Sequence, residues 1–273
     1  MTNPRFLDLA KRLRNDSLPV EKKDPSPQGG QVINPFSGLT FQARFLDGDF
    51  GKQVFNEYSL RVAGGYGKNN PVLGKFSFDG CVKGSNPYMA VLMDKILEKY
   101  GMHVATPKDV DEVIQRNLLD LRNCYEDMAF VLYSESDPNS YLSQNLVRQI
   151  GKNNIQFPSF IPWNGLELTL DSNAPNGLGF KVKDKSFVVP ALELAKANNG
   201  KKFSKTDEYG RPEFDINGNR TFYSEDSGLR VLIRYWDQDL GAGGRGLVSS
   251  GADGRVIAVS GEATTQKNSG GLK

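Results

Sequence analysis

A capping residue followed by proline occurs at Asn3-Pro4, Asn86-Pro87, Thr106-Pro107 and Asp137-Pro138, and the last three pairs crowd into one stretch of the chain. A cap oxygen satisfies a free amide in the first turn of a helix, and proline at the first helical position forfeits no hydrogen bond. Each pair therefore predicts a helix start. After Thr106, apolar residues fall at Val110, Val113, Ile114, Leu118, Leu121 and Tyr125, a stripe of helical period. From Tyr88 to Tyr100 the chain is apolar on most sides, the pattern of a helix buried against a sheet, and Gly101 can end it. Tyr141, Leu142, Leu146, Val147 and Ile150 make a third stripe, stopped by Gly151. A weaker helical pattern follows Phe187 through Ala191, Leu192, Leu194 and Ala195.

Strand-like runs lie on both sides of this block. Phe41, Ala43 and Phe45 alternate with Gln42 and Arg44; Tyr58, Leu60 and Val62 alternate with Ser59 and Arg61; Phe76 and Phe78 alternate with Lys75 and Ser77. Met128 to Tyr133 is nearly all apolar, as a central strand would be. Leu166 to Leu170, Phe180 to Val189, Leu229 to Trp236, Gly246 to Ser249 and Arg255 to Ser260 complete the set. Asn-Gly pairs at Asn164, Asn176, Asn199 and Asn217 predict turns, and Asp253-Gly254 predicts a hairpin between the last two strands. Residues 198–228, poor in aliphatics, are too long for a structureless loop and read as a β-hairpin excursion.

Strands, then helices, then strands do not alternate as a doubly wound α/β protein does. The expectation is an α+β fold: a mostly antiparallel β-sheet with a helical block inserted at about 86–151. Residues 1–36 read as an N-terminal helix and linker arm, 37–260 as a single α+β domain, and 261–273 as a flexible tail.

Composition narrows the function classes. Lys and Arg number 34 against 32 Asp and Glu, so a charge-driven function must come from local clustering. Two cysteines, Cys81 and Cys124, are too few for a disulfide framework and suit a reducing, cytoplasmic setting. No apolar run has signal-peptide or membrane-spanning length, so no membrane partner is expected. The single histidine, His103, leaves little for Ser-His or Cys-His catalysis or a structural zinc site. The glycines at Gly64, Gly65 and Gly67 miss the spacing of a phosphate-binding loop, and no cofactor is expected.

The run Leu229 to Trp236 carries the leading functional expectation. With Leu229, Val231, Ile233 and Tyr235 facing a core, Arg230, Arg234 and Trp236 share the opposite face. Arg44, Arg61 and Lys75 occupy the same kind of outward position on their own runs, and Lys201 and Lys202 sit at a basic tip near Phe203. Cations for phosphates beside a ring for bases are what single-stranded nucleic acid requires. The expectation is a non-enzymatic binding protein using that sheet face. A structural or assembly protein forming a homo-oligomer is one alternative. The other is a metal-dependent enzyme using Asp237 and Asp239, joined by acids such as Asp47, Asp49 or Asp79. Turn chemistry accounts better for closely spaced aspartates, since spacing assigns no third ligand.

Overall fold

The computed structural model describes residues 41–67, 70–243 and 246–261. The expected N-terminal helix and arm lie outside the described residues, as does the tail beyond Gly261. Strand β1 (Gln42–Phe45) leads into α1 (Gly48–Arg61), which continues as a π-helix over Val62–Gly67. Short strands β2 (Ser77–Phe78) and β3 (Val82–Lys83) precede α2 (Pro87–Leu97). Then come β4 (His103–Val104), α3 (Pro107–Gln115), β5 (Glu126–Leu132) and α4 (Ser140–Ile150). Strands follow: β6 (Ser159–Pro162), β7 (Leu166–Leu170), β8 (Leu178–Val182) and β9 (Val189–Pro190). The last are β10 (Lys202–Thr206), β11 (Pro212–Phe214), β12 (Arg220–Ser224), β13 (Leu229–Arg234), β14 (Leu240–Ala242) and β15 (Ile257–Ser260).

This is an α+β fold. Its main sheet has eight strands in the order β11-β10-β12-β14-β13-β5-β6-β9, antiparallel except for the β12/β14 pair. A three-stranded sheet, β1-β15-β4, and two small hairpins, β2-β3 and β7-β8, complete it. The helical block is present but interrupted by β4 and by the central strand β5.

The local signals explain the helix starts. Asn86 accepts the Met89 N–H at 2.9 Å and opens α2. Thr106 accepts the Asp109 N–H at 3.2 Å, while the Asp109 carboxylate accepts the Thr106 N–H at 2.9 Å, a reciprocal capping box for α3. The third helix starts later than Asp137-Pro138 implies, because the Pro138 carbonyl accepts the Leu229 N–H at 3.0 Å; the first α4 bond is Ser143 N–H to Asn139 O.

Several strand expectations are corrected. Tyr58 to Val62 is helix, since buried Gly51, Val54, Tyr58 and Val62 follow a 3–4 residue period and Leu60 is exposed. Lys75 ends a 3-10 turn, and only Ser77–Phe78 pairs as strand. Phe180 to Val189 breaks at the turn Lys185–Phe187 into β8 and β9. The pattern after Phe187 forms 3-10 turns in place of a helix. Residues 246–249 form no strand, so Asp253-Gly254 joins no hairpin. Residues 198–228 do form the expected antiparallel excursion, β10 pairing with both β11 and β12.

The main sheet is buried on both faces. Every residue of β5 is buried. Phe130 and Leu132 join Leu229, Val231 and Ile233 in a cluster with residues of α1, α2 and α4. Ala129, Val131 and Leu232 join a second cluster with Val110 and Val113 of α3, Phe203 and Phe222. Pairing runs Ala129 to Leu232 and then Asp127 to Ile233, so Met128 is the extra residue of a bulge and enters the second cluster beside Ala129. The sheet curls around that second cluster until its ends meet: the Arg211 guanidinium, just before β11, donates to the Pro190 carbonyl of β9 at 2.9 Å.

Candidate functional site

The residues expected to form a basic sheet face do not share one face. Arg234 is fully buried: its face of β13 looks into the second core, and its guanidinium pairs with Glu126. Arg230 is partly buried and donates to the Ser227 carbonyl at 3.1 Å. Arg61 ends a helix, 3.3 Å from Glu57, and Lys75 donates to the Val248 carbonyl at 2.8 Å. Arg44 lies on the three-stranded sheet, 3.3 Å from Asp47 and over the Phe50 ring. Lys201 lies over the Phe214 ring and Lys202 donates to Thr221 Oγ1 at 2.8 Å. Trp236 is 61% exposed, past the end of β13 and beside Asp120, Arg122 and Asp237.

The paired aspartates serve turns. Asp237 accepts the Asp239 N–H at 3.2 Å, and Asp239 accepts the Thr221 N–H. Asp47 and Asp79 pair with Arg44 and Lys83. Among the described residues no group of three or more His, Cys, Asp or Glu is placed to hold a metal ion.

The structure builds a different site, where the two ends of the curled sheet approach. A cavity of about 310 Å³ opens there, lined by residues of β6, β9, the start of α3 and the β10–β11 turn. The mouth of a curled sheet is a recurrent ligand position, and the volume falls at the lower end of the usual range of ~300–1,000 Å³. Phe160, Pro162, Phe187 and Val189 give it apolar walls. Tyr209 comes from the β10–β11 turn, held by Arg211, which lies 5.0 Å over its ring and 2.6 Å from Asp207. That turn reaches the start of α3 only because residue 210 is glycine. Its φ is +84°, and a Cβ would stand 2.6 Å from Pro107 Cβ.

Asn164 supplies the polar wall. It follows Trp163, which is buried, donates through Nε1 to the Asp127 carbonyl at 2.9 Å and packs edge-on against Phe130. That anchor fixes the 3-10 turn Trp163–Gly165. Asn164 Oδ1 is buried and has no hydrogen-bond partner among the described residues. Lys108 and Glu208 add one charge of each sign to the lining. The Thr106 hydroxyl, also in the lining, donates to the Asp109 carboxylate at 2.7 Å and is spent on the cap. The described lining holds neither thiol nor imidazole.

None of the residues lining the cavity belongs to the basic and aromatic set expected from sequence. Thr106 and Asn164 were legible only as a cap and a turn. The lining spans positions 106 to 209 and no single window carries it. Comparison of the chain with known protein families, with curated proteins and with solved structures finds no match.

Proposed function

We propose that this protein is a non-enzymatic binding protein that holds a small, flat, largely apolar molecule bearing an N–H or O–H donor in the cavity between the sheet ends. The carrying observation is Asn164, a residue of the cavity lining whose Oδ1 is buried and has no hydrogen-bond partner among the described residues. Such an atom costs about 1–3 kcal/mol when left unpaired, and a donor on the ligand recovers it. Phe160, Phe187 and Tyr209 offer ring surface to a flat ligand. A volume of about 310 Å³ corresponds to roughly ten waters at ~30 Å³ each, which suits a two-ring heterocycle. The opposed charges of Lys108 and Glu208 favour a ligand without net charge. The cytoplasm is the proposed setting, supported by the unpaired thiols of Cys81 and Cys124.

The test compares indole with indene, which has the same shape but no N–H, by ligand-observed NMR on the full chain. Indole should bind about tenfold or more tightly, the worth of one hydrogen bond to a buried acceptor. Equal binding of the two, or binding of neither, would falsify the reading.

A further inference from the structure

Tyr66 of the π-helix Val62–Gly67 lines a second cleft, which shares no lining residue with the cavity at the sheet ends. π-helical turns are rare and recur at functional sites. Here the turn places Tyr66 so that its hydroxyl donates to the Leu168 carbonyl of β7 at 3.0 Å, tying the end of α1 to the β7–β8 hairpin. The cleft beside it has a volume of about 220 Å³. Val91 and Leu92 of α2, with Leu166 and Leu168 of β7, are buried and form an apolar floor. Arg61, Lys95 and Lys183 also line it, against a single lining carboxylate, Glu167.

The acids around this rim are shared. Glu98 pairs with both Lys95 and Lys183, Glu57 pairs with both Arg61 and Lys99, and Glu167 stands 3.9 Å from Lys181. Only Arg61, Lys95 and Lys183 of these cations reach the cleft lining, where Glu167 is the one carboxylate; Glu57 and Glu98 pair with them from outside the lining. Their lysine and arginine partners hold the Glu57 and Glu98 carboxyls below their ordinary range despite partial burial, so both acids are already ionised in that balance. A neutral apolar ligand would use the floor and leave the three lining cations without a contact. A nucleic-acid strand would use the charge and leave the floor.

We propose that this cleft binds the carboxylate end of a medium-chain acyl compound, with the chain on the Val91, Leu92, Leu166 and Leu168 floor and the carboxylate among Arg61, Lys95 and Lys183. The volume, roughly seven waters at ~30 Å³ each, admits a chain of about eight carbons.

The probe is octanoate, titrated into the full chain while backbone amide shifts are followed by NMR, with octanol and octylamine as matched controls. Octanoate should give saturable shifts centred on 61–67 and 91–95. Octanol should bind about tenfold or more weakly and octylamine more weakly still, the worth of charge-assisted hydrogen bonds. Lys183→Gln should weaken octanoate binding and Glu167→Gln should strengthen it. Both positions are solvent-accessible, so the paired opposite effects do not depend on a damaged fold. Equal affinity for octanoate and octanol overturns the proposal. So do shifts centred on Asn164 and Phe187 in place of Tyr66, or the same response in both variants.

Discussion

Glu126 and Arg234 stand opposite each other in the β5–β13 register, and the Arg234 Nε–H donates to Glu126 Oε2 with both side chains buried. The rest of the guanidinium is also satisfied: Nη1 donates to the Tyr235 carbonyl at 2.8 Å and Nη2 to the Cys124 carbonyl at 3.0 Å. A buried pair with complete partners is stable only while both members are present. Glu126→Leu alone leaves a buried guanidinium without its counter-charge and should cost about 3–5 kcal/mol. The double variant Glu126→Leu, Arg234→Met should recover most of that loss. Urea midpoints of the three proteins decide it. A double variant no better than the single would mean that the carbonyls of Cys124 and Tyr235 depend on the guanidinium more than Glu126 does.

Cys124 lies against the same guanidinium, with Sγ 3.3 Å from Arg234 Nη2. Burial, with the Glu126 carboxylate adding to it, pushes its thiol up to about 12. Burial pushes the Tyr88 phenol up to about 12 as well, and raises Tyr58 and Tyr133. The unfolded chain releases these protons near their ordinary values, about 8.5 for a thiol and about 10 for a phenol. A folded-state value above the unfolded one gives stability that is complete below the unfolded value and lost as pH rises. The urea midpoint should therefore hold up to about pH 8 and decline from about pH 8.5 to 12. In Cys124→Ala the decline between about pH 8.5 and 10 should shrink, because burial raises only the Cys81 thiol ahead of the phenols there. An identical pH profile in that variant would remove the thiol from the account.

Gly228 joins α4 to the central sheet. Its carbonyl accepts the Tyr133 N–H at 2.9 Å, its N–H donates to Ser134 Oγ at 2.9 Å, its φ is +70°, and a Cβ there would lie 2.3 Å from the Pro138 carbonyl oxygen. The left-handed backbone and the contact with backbone oxygen act together. Gly228→Ala should cost about 2–5 kcal/mol, read as a lowered thermal and urea midpoint. A loss within about 0.5 kcal/mol, as for an ordinary surface change, would mean that the 134–139 segment yields readily.

Signals contained in a few neighbouring residues were legible. The caps at Asn86 and Thr106 act within one helical turn, and Leu166 to Leu170 alternates as β7 does. Ambiguity defeated α1, because Tyr58, Leu60 and Val62 satisfy a two-residue alternation while Val54, Tyr58 and Val62 satisfy a four-residue period. The burial of Gly51 and Val54 and the exposure of Leu60 separate the two. Arg234 was misread for a different reason. Its outward position on the strand is correct, but a second core occupies that side, and Glu126, its partner, is distant in sequence. The cavity depends on the curl that brings β9 and β11 together, a property of the whole sheet that no segment encodes.

Asn164 allows function to be separated from stability. If its buried Oδ1 awaits a ligand, the empty protein bears the cost of an unpaired acceptor. Asn164→Leu replaces the amide with an apolar group of similar size against Phe187 and Pro162, which share the cavity lining. The empty variant should be unchanged or more stable by about 1 kcal/mol, because the penalty disappears while the walls stay apolar. The same variant should lose the preference for indole over indene. Thermal melting without ligand and ligand-observed NMR with it read the two effects separately. A variant destabilised by about 2 kcal/mol or more would assign the amide to holding the Trp163–Gly165 turn. A stable variant that still prefers indole would move the ligand's donor to another acceptor in the cavity, with the hydroxyls of Ser186 and Tyr209 the next to replace.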